Sequence, residues 1–386
     1  MAIKRTYEEI NKRIKKGKAV IATAEEIIPI VEEKGIERAA KEIDVVTTGT
    51  FGPMCSSGAI INFGHSDPPI RMQKAWLNDV EAYAGLAAVD VYLGATQLSE
   101  SQGMEYGGAH VIEDLISGKK IKLKAISRGT DCYPRREIES YITKESINQA
   151  ILFNPRNAYQ NYNVAVNTSD KKIYTYMGIL LPNMGNANYC TSGQLSPLLN
   201  DPQFRTIGIG TRIFLGGTQG YIAWEGTQFY PQVLKGEPNK TVNKGGTLAV
   251  IGDLKEMSTD YIRAATFKGY GVTLVVGIGI PIPILNSEIM KSVSAKDEDI
   301  WTDVIDYSFP HLKKPSLGRV NYRQLREGKI TIQRKDVPAS PLSSYAKARE
   351  IAQKLKDKIL RGEFLLQEPI QKFPKQNKFK PLLEIR

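Results

Sequence analysis

Cys132 lies in a segment whose residue types suit a reactive thiol, Ser127-Arg-Gly-Thr-Asp-Cys-Tyr-Pro-Arg-Arg-Glu137. Pro134 suits the first position of a helix, so the sequence predicts Cys132 just before a helix N-terminus. A helix dipole and the nearby arginines would both favour the thiolate, whereas Asp131 would oppose it. The same arginines could bind a substrate carboxylate through paired hydrogen bonds; they are Arg128, Arg135 and Arg136.

The other two cysteines each open a small polar turn of nearly the same sequence. Cys55-Ser-Ser-Gly58 resembles Cys190-Thr-Ser-Gly193. Turns of this composition let backbone N–H groups converge on an anion or a thiolate. His65 and Asp67 follow Cys55 closely in the chain and are candidate substrate-binding residues. The alternative for each cysteine is a small buried hydrophobic residue.

The composition limits the class of protein that these thiols serve. An odd number of cysteines, three, argues against a disulfide framework. The N-terminus lacks the apolar core of a signal peptide, so we expect a cytoplasmic protein. The chain has no complete dinucleotide fingerprint, phosphate loop, C-x-x-C or H-E-x-x-H motif. Its three histidines are too scattered in sequence to indicate a zinc site.

A net charge of +11 favours an acidic partner or a polyanion. The excess is concentrated at the two ends of the chain, and the alternative is a solvated lysine-rich surface. No arginine–aromatic array of the kind that binds single strands stands out. The sequence therefore favours an acidic protein partner over nucleic acid, and nothing in it indicates a membrane partner.

The elements that must position these loops indicate an α/β protein. We expect a mixed, partly parallel sheet with flanking helices, in one compact unit with an N-terminal helical segment and a C-terminal arm. Capping boxes at Thr6–Glu9 and Thr23–Glu26 predict helices in the first 45 residues. A strand over 246–252, a helix from Ser258 or Thr259 to Phe267 and a strand over 272–276 would form a parallel strand–helix–strand unit.

The C-terminal region is predicted to hold one amphipathic helix over residues 340–361. After Gly362 the chain is apolar and basic with three prolines, which predicts an extended arm over residues 362–386. We expect residues 1–361 to form the functional domain.

Four segments together resemble the homocysteine biosynthesis family of archaea and anaerobic bacteria. They are 47–59, Asn62-Phe-Gly-His-Ser-Asp-Pro-Pro69, Gly129-Thr-Asp-Cys-Tyr-Pro134 and 208–217. The resemblance implies an L-aspartate semialdehyde sulfurtransferase that adds sulfide to the aldehyde and uses two electrons from a ferredoxin-type partner. Cys132 matches the family cysteine expected to matter most, and Cys55 matches the other loop cysteine. Some family members carry C-terminal CBS domains that bind adenosyl ligands; we expect none here.

The implied substrate carries a carboxylate and an ammonium group. Arg128, Arg135 or Arg136 could bind the first, and an acid such as Asp67 or Asp131 could bind the second. Electron-carrier ferredoxins are usually acidic, so the positive charge would steer their approach.

Two mechanisms are open at this stage. In the first, Cys132 carries a persulfide whose sulfur passes to the aldehyde before reduction releases homocysteine. In the second, Cys55, Cys132 and Cys190 bind three irons of a 4Fe–4S cluster and the open iron binds hydrosulfide. The spacing of the cysteines matches no compact cluster motif. Alternative functions are another cysteine-dependent sulfur carrier, an RNA-thiolating protein, or a basic RNA-associated binding module, and a homo-oligomer is compatible with all of them.

Overall fold

The computed structural model describes residues 4–231, 244–375, 377, 380 and 382. Strands dominate this part of the chain and form five sheets. Helices cover the sheets at Tyr7–Lys15, Ile27–Lys34, Ile36–Glu42, Gly108–Ile116, Pro197–Asn200, Ser287–Val293, Tyr322–Arg326 and Tyr345–Leu360. The α/β prediction is confirmed.

A nine-stranded antiparallel sheet forms the centre of the molecule. The long strand Gln149–Asn161 pairs with Lys244–Asp253 on one side and with Gly58–Asn62 on the other. The remaining strands are Thr50–Pro53, Asp90–Gly94, Arg212–Leu215, Thr218–Glu225, Ile262–Phe267 and Gly271–Gly279. The largest hydrophobic cluster packs on this sheet and includes Ile61, Leu152 and Val276, all fully buried.

Parallel pairing occurs in two of the other sheets. In a six-stranded sheet, Val164–Val166 pairs in parallel with Trp301–Asp306, and Ala187–Tyr189 with Lys335–Pro341. Its outer strands are Ser316–Asn321 and Lys329–Ile332. A three-stranded sheet contains the parallel pair Ile21–Thr23 and Val45–Thr47, with Pro281–Pro283 antiparallel to the second. The prediction of a partly parallel sheet is thus confirmed.

The two remaining sheets are antiparallel. A second six-stranded sheet contains Lys74–Leu77, Val80–Ala82, Leu98–Ser99, Gly103–Gly107, Ile121–Ile126 and Glu137–Ile142. A small hairpin pairs Ile173–Thr175 with Gly178–Leu180.

The predicted strand–helix–strand unit is wrong in its middle element. Residues Ile262–Phe267 form a strand that pairs antiparallel with Gly271–Gly279. The flanking strands exist, within Lys244–Asp253 and Gly271–Gly279. A short 3-10 helix at Leu254–Glu256 precedes the strand. The Ser258 carbonyl then accepts hydrogen bonds from the N–H groups of Tyr261 and Ile262, as in the first turn of a helix. Pairing along six residues outweighs this local helical signal.

The predicted capping box at Thr6–Glu9 is confirmed, whereas the pair Thr23–Glu26 lies in the turn before its helix and does not cap it. The Thr6 side chain accepts a hydrogen bond from Glu9 N, and the Glu9 carboxylate accepts one from Thr6 N. Thr23 and Glu26 make the same reciprocal bonds one residue before the helix Ile27–Lys34. A short strand, Ile21–Thr23, interrupts the predicted helical segment.

The glycines of the segment 47–52 permit a helix to pack closely on a strand. A Cβ at Gly49 would collide with the Ala348 carbonyl oxygen of the helix Tyr345–Leu360, and one at Gly52 would collide with Ser343 Oγ. That helix begins five residues later than predicted, because residues 340–341 belong to the strand Lys335–Pro341.

In the predicted arm, the residues from Phe364 to Phe373 pack on the rest of the chain. Phe364, Leu366 and Phe373 are buried, and Gln371 forms a β-bridge with Ile209. Within the described part of the chain, no helix has both the length and the apolar character needed to cross a lipid bilayer.

Candidate active site

Cys55 lies at the tip of the turn that joins the strands Thr50–Pro53 and Gly58–Asn62. The turn is closed by Ser57, whose N–H and hydroxyl both donate to the Met54 carbonyl, at 3.1 and 2.8 Å. Asn154 on the neighbouring strand donates to Ser57 Oγ at 2.9 Å. These bonds fix the turn to the central sheet and leave Cys55 half-buried.

Cys190 follows the strand Ala187–Tyr189 of the mixed sheet and reaches the same place from the opposite side. Its carbonyl accepts the Ser343 hydroxyl and lies beside Gly52. Burial, and to a lesser extent the negative charge of Cys55, raises the pKa of the Cys190 thiol to about 12. Cys190 therefore stays protonated at neutral pH.

Cys55 and Cys190 line one cavity of about 350 Å³ between the two sheets. Its size falls within the range of small-molecule sites. The other lining residues are Thr50, Gly52, Pro53, Met54, Ser56, Arg156, Tyr162, Tyr176, Met177, Thr191, Ser196, Gln228 and Tyr270. The two cysteine turns are thus similar in sequence and also line the same cavity.

Tyrosines form one wall of this cavity. Tyr162 donates to the Tyr176 hydroxyl at 2.9 Å, and the Tyr176 ring packs edge-on against Tyr270 with centroids 6.2 Å apart. Burial raises the pKa of Tyr270, and the Cys55 charge raises it further. The wall therefore presents hydroxyl groups and apolar ring surface to a bound molecule.

Cys132 is exposed on a hairpin between the strands Ile121–Ile126 and Glu137–Ile142. The predicted helix after Pro134 is wrong, because this segment enters an antiparallel strand instead. A bridge between Thr130 and Tyr133 closes the hairpin, and Thr130 Oγ1 lies 3.6 Å from Cys132 Sγ. No helix dipole acts on this thiol.

The residues predicted to bind substrate gather around this hairpin and not around the cavity. Arg135 donates from its guanidinium to the Asp67 and Pro68 carbonyls at 2.7 and 3.0 Å. The His65 ring stacks on Tyr133 with centroids 6.1 Å apart. His65 and Asp67 are exposed, as are Arg128 and Arg136. The structure thus brings all five to the surface near Cys132.

Cys132 and the cavity lie at opposite ends of the strand Gly58–Asn62. Cys55 precedes its first residue, whereas the Cys132 hairpin contacts residues 65–69 beyond its last. A strand of this length spans about 14 Å. Among the described residues, no three histidine, cysteine or acidic side chains are grouped so as to hold a metal ion. The arrangement therefore does not fit a 4Fe–4S cluster on Cys55, Cys132 and Cys190.

Outside the two cysteine loops, four large polar residues of the cavity carry no signal in a sequence motif. Arg156, Tyr162, Tyr176 and Tyr270 come from three separate segments and belong to no local motif. One signal was present: Pro155 sits inside a strand, which is typical of a bulge near a functional site.

Comparison with known proteins gives the family. The sequence matches the family described as homocysteine biosynthesis enzyme, sulfur-incorporation, over residues 19–366. An L-aspartate semialdehyde sulfurtransferase of Methanosarcina acetivorans is 53% identical over 380 residues, which cover 98% of this chain and 74% of that protein. One of Methanocaldococcus jannaschii is 54% identical over 383 residues, covering 95% and 73% respectively.

A more distant relative is an uncharacterized protein of Methanothermobacter thermautotrophicus, 29% identical over 312 residues, 78% of this chain and 68% of that protein. No solved structure matches the chain. The resemblance carried by the cysteine loops is confirmed by these matches, and the chain belongs to the family of sulfur-incorporating homocysteine biosynthesis enzymes.

Proposed function

We propose that this chain converts L-aspartate semialdehyde and sulfide into L-homocysteine. The two relatives that share more than half of its residues are named for the transfer of sulfur to this aldehyde. The structural observation that supports the proposal is the cavity lined by two thiols and an arginine. It offers sulfur chemistry and a positive charge to a small anionic aldehyde.

The overall reaction is a reductive thiolation. The aldehyde, hydrogen sulfide, two electrons and two protons yield a primary thiol and one water. Addition of sulfide to the carbonyl carbon forms a C–S bond and a hydroxyl group. Loss of that hydroxyl as water gives a thioaldehyde, and reduction by two electrons and two protons gives the thiol. We expect a ferredoxin-type iron–sulfur protein to supply the electrons.

We assign Cys132 to sulfur uptake and Cys55 to delivery in the cavity. A sulfane-sulfur donor, such as a low-molecular-weight persulfide, can pass its terminal sulfur to exposed Cys132 and from there to the Cys55 thiolate. In each transfer one S–S bond forms as another breaks, and no electrons are consumed. Two electrons and two protons from the same reductant then release hydrogen sulfide from Cys55 beside the aldehyde. Since Cys132 lies outside the cavity, the transfer requires either movement of its hairpin or a meeting of two copies of the chain. Free sulfide is already reduced and adds to the aldehyde without this relay.

The test is homocysteine formation under strict anaerobiosis. The purified chain is given aspartate semialdehyde, a ferredoxin-type reductant and either sulfide or a low-molecular-weight persulfide, and the product is measured by mass spectrometry. With the persulfide as the sulfur source, we expect Cys55→Ser and Cys132→Ser to abolish turnover without loss of fold. Ser140→Ala, an exposed change in the strand that follows the Cys132 hairpin, serves as the control and keeps activity. Absence of homocysteine with the intact chain and its reductant would refute the assignment.

A further inference from the structure

Arg156 is placed in the cavity by an irregularity of the central sheet. The register between the strands Gln149–Asn161 and Lys244–Asp253 shifts between Asn154 and Asn157, so Arg156 lies outside the regular ladder. Its backbone N–H donates to the Asn154 side chain at 2.9 Å instead of to a neighbouring strand. Bulges of this kind redirect a side chain, and here the side chain points into the cavity.

The guanidinium of Arg156 has no anionic partner in the part of the chain that the structure describes. Its Nη1 donates to the neutral Gln228 side chain, and its Nε is buried without a hydrogen-bond partner. Arg156 as a whole is half-buried, but a buried N–H group such as its Nε is costly unless a hydrogen-bond acceptor satisfies it. The arginine therefore faces the cavity with both charge and hydrogen-bonding capacity unmatched.

We propose that Arg156 anchors the carboxylate of the substrate in the cavity that holds Cys55 and Cys190. The inference rests on the proposed function and specifies where its substrate binds. A planar guanidinium matches a carboxylate through two parallel hydrogen bonds. The substrate is short, with about 4 Å between the carboxylate carbon and the aldehyde carbon by ordinary bond lengths. Fixing the carboxylate at Arg156 therefore holds the aldehyde within the same cavity as Cys55.

The arginines beside Cys132 offer a weaker site for the same carboxylate. The Arg135 guanidinium is already bonded to two backbone carbonyls, and Arg128 and Arg136 are exposed to solvent. Charge interactions in solvent are weakened by the high dielectric constant of water. Arg136 is thus a matched control: an arginine near a cysteine, but outside the cavity.

The experiment compares Arg156→Met, Arg156→Lys and Arg136→Gln in the full chain. Binding of L-homoserine, which carries an alcohol in place of the aldehyde, is measured by calorimetry without sulfide or reductant. Loss of a charge-assisted hydrogen bond at a buried site predicts that Arg156→Met weakens this binding about 10- to 100-fold. Arg156→Lys should restore part of it, because the charge returns without the planar fork, and Arg136→Gln should leave it unchanged.

Steady-state kinetics give the second readout. Arg156→Met should raise the KM for aspartate semialdehyde by a similar factor with a much smaller change in kcat. It should also abolish the preference of the intact chain for this substrate over 3-aminopropanal, which lacks the carboxylate. Unchanged homoserine binding in Arg156→Met, or weakened binding in Arg136→Gln alone, would overturn the proposal. Failure of the intact chain to make homocysteine would refute the proposed function and leave the homoserine comparison as an independent result.

Discussion

Cys55 and Cys190 face one cavity from two different sheets, and they differ in what surrounds their thiols. Both residues are half-buried, but burial of the Cys190 thiol group raises its pKa to about 12. Since the thiolate is the nucleophile, Cys190 is poorly suited to attack at neutral pH. The cavity thus contains two thiols, of which Cys190 is protonated at neutral pH.

This difference predicts the order in which the cysteines react with iodoacetamide at pH 8. Exposed Cys132 should be alkylated first, Cys55 next and Cys190 last. With a pKa of about 12, Cys190 at pH 8 has about one thiolate in 10,000 molecules. Its labelling rate should therefore rise about tenfold for each pH unit above 8, since the thiolate fraction grows in that proportion.

Peptide mapping by mass spectrometry follows the three sites separately. The chain unfolded in urea is the control, and it should label all three cysteines at similar rates. Alkylation of Cys190 as fast as Cys132 in the folded chain would contradict the protonated state of its thiol.

The separation of Cys132 from the cavity makes a prediction about bound iron. If the three cysteines do not bind one cluster together, the three single replacements should not all remove the bound iron to the same extent. Iron and acid-labile sulfide are measured after anaerobic purification of Cys55→Ala, Cys132→Ala and Cys190→Ala. The intact chain is the reference. An equal loss of iron in all three variants would contradict this prediction and support a cluster bound by all three cysteines.

Local signals in the sequence were sufficient where a few neighbouring residues determine the structure. The capping box at Thr6 is an example, since it depends on contacts within one short segment. Two helix signals failed. Most of the predicted helix 258–267 is the strand Ile262–Phe267, and the segment after Pro134 leads into the strand Glu137–Ile142. In both, pairing with a neighbouring strand supplies more hydrogen bonds than a short helix could.

In the candidate site, too, features that depend on neighbouring residues could be predicted and features that depend on long-range packing could not. The turns of Cys55 and Cys190 were recognisable from composition, whereas their meeting in one cavity depends on the packing of two sheets. Cys132 was correctly placed among arginines, but the hairpin keeps this group at the surface. Arg156 had no neighbouring motif, and only Pro155 within a strand indicated the bulge that directs it inward.

A buried ion pair at the N-terminus gives a prediction on stability. The Asp44 carboxylate is fully buried and accepts from Arg5 and Arg13, each at 2.9 Å, and from Val20 N at 2.8 Å. Asp44→Ala removes the anion and leaves these donors unmatched. We expect it to lower the free energy of unfolding by about 3 kcal/mol, measured by chemical denaturation.

The control for this variant is Glu8→Ala. Glu8 pairs with Lys12 at 2.7 Å, but both side chains are largely exposed. Surface pairs contribute less than about 1 kcal/mol, so this variant should remain close to the original stability. Equal effects of the two replacements would show that burial does not distinguish the pairs.

The positive charge predicts a salt-dependent encounter with an acidic electron carrier. The Debye length falls from about 10 Å at 0.1 M salt to about 3 Å at 1 M, so electrostatic attraction over longer distances is lost. The association rate with a ferredoxin-type protein, measured by stopped flow, should therefore fall steeply as salt rises. Lys15, Lys16 and Lys18 are exposed at the C-terminal end of the first helix and just beyond it. Their joint replacement by glutamate should lower the rate at low salt. Replacing the dispersed exposed residues Lys120, Lys291 and Lys313 makes the same change in net charge and should lower the rate less. A rate that does not depend on salt would mean that the basic residues are a solvated surface without a steering role.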